Sequence, residues 1–111
     1  MASEKLGPAA DIPQGSLKGF TAGGKKILVA NIGGTFHAMD AVCSHMQGDL
    51  AKGKLEKNVV TCPRHGSRYD VTTGKVVGNV SSLVKLTTGR VATDLRTYPV
   101  TVQDGSLFVE V

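Results

Sequence analysis

Short apolar runs alternate with pairs of turn-forming residues along nearly the whole chain, a pattern of β-structure. Residues 26–32 (Lys-Ile-Leu-Val-Ala-Asn-Ile) form an almost continuous apolar run between Gly23-Gly24 and Gly33-Gly34. The second glycine pair signals a two-residue hairpin, with residues 35–39 as the returning strand. Residues 16–20 predict an earlier strand. Residues 55–61 predict a hairpin that turns near Lys57-Asn58, and residues 68–71 and 75–77 another around Thr73-Gly74. The chain closes with a strand over 97–102, an Asp104-Gly105 turn and a strand over 107–111. Only residues 9–12 suit a helical turn. Many short strands with regular turns predict an all-β antiparallel sandwich or barrel. A length of 111 residues fits a single domain spanning 1–111, with no linker or repeat.

Two polar loops interrupt this pattern and hold the candidate chemistry. One reads Cys43-Ser44-His45-Met46-Gln47-Gly48; the other reads Cys62-Pro63-Arg64-His65-Gly66-Ser67. The spacing is C-x-H, sixteen intervening residues, then C-x-x-H. Two thiolates and two imidazoles can bind an iron–sulfur cluster or zinc. Zinc modules usually pair like with like, C-x2–4-C with H-x3–5-H, whereas here each loop lends one sulfur and one nitrogen. In a two-iron, two-sulfide cluster each iron needs two protein ligands, so both loops would clamp both irons. Two thiolates neutralise the oxidised core, whereas four would leave it negative. A neutral centre accepts an electron more readily, and imidazole ligation accordingly raises the potential to roughly −150 to +300 mV from about −400 mV. His37 has no cysteine at ligand spacing and is expected to be structural.

The first loop and its continuation through Leu50 to Gly53 are similar to the pattern C-x-H-x4-L-x2-G of Rieske-type ferredoxins. Residues 62–70 resemble that family's second box, C-P-x-H-G-x-x-[FY]-D. The resemblance implies a one-electron carrier, not an enzyme acting on an organic substrate. It implies one [2Fe–2S] cluster, with Cys43 and Cys62 on one iron and His45 and His65 on the other. The cluster-binding subdomain, about residues 41–78, would be inserted in a basal β-domain. The high-potential branch of the family carries a disulfide between the loops; Gly48 and Arg64 stand at those positions here. Ser67 and Tyr69 match the residues that donate hydrogen bonds to sulfur in that branch, which implies a potential between the two branches. Residues 78–96 depart from the family pattern and predict an additional hairpin.

The family implies shuttling from a reductase to a terminal oxygenase or another oxidoreductase. A fixed subunit of a larger oxidoreductase complex is the alternative, and a zinc-stabilised or redox-sensing module a further one. The formal charge of +4 narrows the partners. Between Cys43 and Asp70, Lys52, Lys54, Lys57, Arg64 and Arg68 face Asp49, Glu56 and Asp70, so the expected redox partners carry an acidic docking face. The basic residues do not cluster with stacking aromatics, which argues against nucleic acid. No apolar run approaches a membrane span and the N-terminus has no apolar signal region, so a soluble cytoplasmic protein is expected.

Overall fold

The computed structural model describes residues 3–42, 49–63, 67–78 and 94–111. They form three antiparallel sheets. The first sheet joins β1 (Ser3–Pro8), β11 (Ser106–Glu110) and β10 (Val100–Gln103), with β11 in the middle. The second runs β2 (Leu17–Ala22), β3 (Lys25–Ile32), β4 (Thr35–Asp40) and β9 (Thr97–Tyr98). The third runs β5 (Lys54–Glu56), β6 (Val59–Thr61), β7 (Arg68–Asp70) and β8 (Val76–Gly78).

The apolar run of β3 explains how the sheets stack. Side chains alternate across a strand, so a run of consecutive apolar positions such as Ile27 to Ala30 must be covered on both faces. Ile27 and Val29 enter one buried cluster with Ile12, Ala38, Leu107 and Val109, under the first sheet. Leu28 and Ala30 point the other way, into a cluster with Met39, Leu50, Val60, Cys62, Tyr69 and Val71. The second sheet is thus the shared middle layer between the basal sheet and the third sheet. Ile27, Leu28 and Val29 are fully buried, each worth about 1.5–3 kcal/mol of apolar burial.

The Gly33-Gly34 turn forms as expected. Ile32 pairs with Thr35, and the two glycines take φ of 61° and 94°, which side chains rarely adopt. Turns at Gly23-Gly24, Lys57-Asn58 and Asp104-Gly105 also join paired strands. A 3-10 turn occupies Ala9–Asp11, within the stretch expected to be helical.

The expected single strand over 97–102 is a correction. Pro99 divides it, leaving β9 on the middle sheet beside β4 and β10 on the basal sheet beside β11. Proline has no N–H to donate, so the chain changes sheets there. β1 carried no clear alternation in the sequence and forms by pairing with β11 across a register shift between Lys5 and Gly7. The hairpin expected within 78–96 falls mostly on residues outside those described. Residues 94–96 return against the third sheet: the Leu95 N–H donates to the Gly74 carbonyl at 2.7 Å and the Val76 N–H to the Asp94 carboxylate at 3.0 Å.

Between the middle and third sheets lies a 3-10 turn, Leu50–Lys52, followed by Gly53. Gly53 has φ −80° and ψ 179°, open to any residue, so space rather than backbone conformation selects glycine. A Cβ there would collide with the Thr61 carbonyl oxygen and lie 3.1 Å from that of Leu50. Both obstacles are backbone and neither can swing aside. Gly53→Ala should therefore cost about 2–3 kcal/mol in denaturant unfolding. Gly78→Ala, whose Cβ would meet only the flexible Arg68 guanidinium, should cost less than about 1 kcal/mol.

Candidate metal centre

Both ligand loops are closed at their roots by backbone hydrogen bonds. The first is bracketed by an antiparallel bridge between Val42 and Asp49, and the Leu50 N–H donates to the Ala41 carbonyl at 2.7 Å. Asp49 then caps the 3-10 turn, accepting from the Ala51 N–H at 3.0 Å. The second loop is an extension of the β6–β7 hairpin. Thr61 pairs with Arg68, and the Cys62 N–H donates to the Ser67 carbonyl at 2.7 Å.

The two roots share one apolar layer. Leu50, immediately after the first loop, is fully buried with Val60, Cys62 and Tyr69. This assigns Leu50 to core packing. Gly53 lets the backbone after the first loop touch the backbone of β6 just before Cys62. The Leu and Gly of the first box thus bring the first loop's root against the second.

Of the expected ligands, Cys62 lies among the described residues, 1% exposed. Cys43, His45 and His65 lie outside them, as do Met46, Gly48 and Arg64. Ser67 and Tyr69 are fully buried on the same hairpin as Cys62, and both are engaged in interactions. No buried side-chain nitrogen or oxygen among the described residues lacks a hydrogen-bond partner. A buried thiol on the same hairpin as two buried hydroxyl side chains suits a sulfide-bearing inorganic group, which prefers low dielectric and hydrogen bonds to sulfur. Among the described residues, the buried Cys62 thiol is the donor compatible with such a group.

His37 is half-buried on β4, paired with Ala30 in the strand register, and belongs to no group of three His, Cys, Asp or Glu among the described residues. Asp70 closes the second box, and the sequence left its role open. Asp70 organises the turn after β7. Its carboxylate accepts from the Thr72 hydroxyl at 2.6 Å and the Thr72 N–H at 2.9 Å, and its carbonyl accepts from the Gly74 N–H at 2.6 Å. Burial pushes its pKa up, but the bonds from Thr72 and Asn58 and the charge of His37 outweigh it and hold the carboxyl below its ordinary value.

A family model for the Rieske [2Fe-2S] domain matches residues 3–99. The chain belongs to the Rieske [2Fe–2S] family. A [2Fe–2S] cluster, rather than zinc, is the group this domain implies. Among curated proteins the Rieske chain is similar to the ferredoxin component of the naphthalene 1,2-dioxygenase/salicylate 5-hydroxylase systems of a Ralstonia species. The two are 34% identical over 94 residues, covering 85% of this chain and 81% of that one. It is also similar to the ferredoxin component of biphenyl 2,3-dioxygenase from Rhodococcus jostii (strain RHA1), 40% identical over 75 residues, covering 68% and 70% of the two chains. Its fold matches the ferredoxin of carbazole 1,9a-dioxygenase from Nocardioides aromaticivorans IC177, with a TM-score of 0.82 at 22% identity over 98% of this chain and 97% of that one. No helix among the described residues is long and apolar enough to cross a membrane.

At the edge of the middle sheet, the Tyr98 hydroxyl donates to the Asp40 carboxylate at 2.5 Å. Burial, and then the bond to and charge of Asp40, push the Tyr98 pKa up to about 12 from 10.0. The folded state thus holds the phenol proton more tightly than the unfolded chain. The associated stability is complete below pH 10 and is lost as pH rises towards 12. Tyr98→Phe should cost about 2 kcal/mol in denaturant unfolding at neutral pH. The gap between the two proteins should close across that alkaline window.

Proposed function

We propose that this chain carries one electron at a time on a single [2Fe–2S] cluster bound by Cys43, His45, Cys62 and His65. It delivers that electron from a reductase to the terminal oxygenase of a dioxygenase system, in the cytoplasm. The reading rests on one observation above all: the roots of the C-x-H and C-x-x-H loops meet in a single buried layer, through Leu50, Gly53 and Cys62. The Ralstonia and Rhodococcus relatives are ferredoxin components of dioxygenase systems, which supports the choice of partner. The cluster-binding subdomain is assigned to about residues 41–78, and includes the third sheet.

The cluster, when bound, supplies a reversible one-electron couple near neutral charge. The chain's own residues set its environment. Cys62 is kept out of water beside Leu50, Val60 and Tyr69, so its sulfur faces a low dielectric. The buried Ser67 hydroxyl and Tyr69 phenol supply donors that favour the more negative, reduced state. Neither group needs to move a proton for the electron to pass, and the domain transforms no organic substrate.

Iron, zinc and acid-labile sulfide assays on the purified holo-protein, with an EPR spectrum of the reduced state, test the assignment. Iron and sulfide in equal amount, with a mixed-ligand signal, are expected; stoichiometric zinc without sulfide would refute it. Ser67→Ala and Tyr69→Phe should each move the potential in the negative direction in protein-film voltammetry. An unchanged or more positive potential in both would remove these two residues from the tuning of the centre.

A further inference from the structure

Beside the root of the first ligand loop is an open cavity of about 410 Å³ lined by Lys25, Lys26, Asp40, Val42, Arg96 and Tyr98. None of its three cations lies in the basic segment between the ligand boxes; β3 and the segment leading into β9 bring them together. We propose that this pocket seats an acidic side chain of a redox partner. The inference rests on the electron-carrier reading and deepens it, naming the local contact and its chemistry.

Three observations carry it. First, two of the cations, Lys25 and Arg96, are in place before a partner arrives. The Arg96 guanidinium and the Lys25 ammonium lie 5.5 Å and 5.6 Å from the centroid of the Tyr98 ring. That ring is itself tied down by its hydroxyl bond to Asp40, and the Asp40 N–H donates to the Arg96 carbonyl at 2.9 Å. Second, the charge is not spent in ion pairs among the described residues. The ion pairs among the described residues are Lys18–Asp11 and Lys54–Glu56, so none involves a pocket cation. Asp40, the one carboxylate among the described residues of the wall, keeps its charge while accepting from Tyr98, so three cations stand against one anion in the wall. Third, the pocket adjoins the root of the first ligand loop. Val42 lines it, is 36% exposed, and directly precedes Cys43. A carboxylate held here would place its protein against the first ligand loop.

The chemistry favours a carboxylate over a nucleic-acid backbone. A backbone needs cations along a track and aromatic faces free for stacking. Here Lys25 and Arg96 flank the ring of Tyr98, the only aromatic among the described residues of the wall.

The test uses the full-length holo-protein. The dithionite-reduced protein is mixed in stopped flow with ferricyanide or with hexaammineruthenium(III). Each oxidises one reduced centre by one electron, giving ferrocyanide or hexaammineruthenium(II); each probe's own potential is common to all variants, so the change in the rate ratio between variants reads the effect of the probe's charge sign. Arg96→Glu and Lys25→Glu should each lower the ratio of the ferricyanide to the ruthenium rate by about tenfold. Lys5→Glu, with the same change in net charge but placed on β1 of the basal sheet, should change it by less than about twofold. In parallel, calorimetry should detect a hexaglutamate peptide binding the oxidised wild-type protein and Lys5→Glu, but not Arg96→Glu. Equal rate shifts in all three variants, no peptide binding, or tighter binding of a DNA oligonucleotide than of the peptide would each overturn the proposal. A preparation without iron and sulfide would instead count against the cluster, and the calorimetric arm would still judge the pocket.

Discussion

Everything else in this fold depends on β3 being buried on both faces. One strand supplies Ile27 and Val29 to the basal core and Leu28 and Ala30 to the core beneath the ligand loops. A one-residue slip of its register would exchange the two sets, and every position would meet the wrong partner. The apolar run at residues 27–30 thus fixes how the cluster-side sheet sits on the basal one. A polar face on β3 would have left either core uncovered. The rigid middle layer is what allows short and polar ligand loops, because their positions are set by the strands at their roots.

The same economy appears where the loops meet. The sequence boxes contain residues of two kinds. Cysteines and histidines supply chemistry, while Leu50, Gly53 and Asp70 supply geometry. Leu50 anchors the exit of the first loop in the core, Gly53 removes the one atom that would hold it away from Thr61, and Asp70 gathers the turn after β7. None of the three belongs to a candidate metal-binding group among the described residues. Their presence in the boxes reflects the small tolerance of a site built from two separate pieces of chain, in which a misplacement of about 1 Å is felt.

Much of this was legible in the sequence because its signals are local. Hairpin turns at Gly33-Gly34 and Asp104-Gly105 need left-handed backbone, which few residues provide, so the dipeptides announce them. The ligand boxes announce themselves by spacing. What sequence reading missed is non-local. β1 exists because β11 offers it an edge, and its own residues, Ser-Glu-Lys-Leu-Gly-Pro, show no period. The division at Pro99 was hidden because strand propensity on both sides is high and the change of sheet is a tertiary event. The cationic pocket was invisible for the same reason: Lys25 and Arg96 are seventy-one positions apart and share only the ring of Tyr98.

That separation bears on how such a carrier can be specific at all. The residues that define the family are committed to holding the centre and to packing the loops against the core, so they are not free to vary with the partner. Discrimination among partners must come from positions the boxes leave open. Charges are suited to this task, because they act over about 8–10 Å at physiological salt and influence the rate of encounter more than the strength of the final complex. A mobile carrier benefits from that balance, since it must bind quickly and also leave. Clamped cations beside an exposed Val42 provide both features: a field to orient the approach, and a small apolar contact that adds little to residence time.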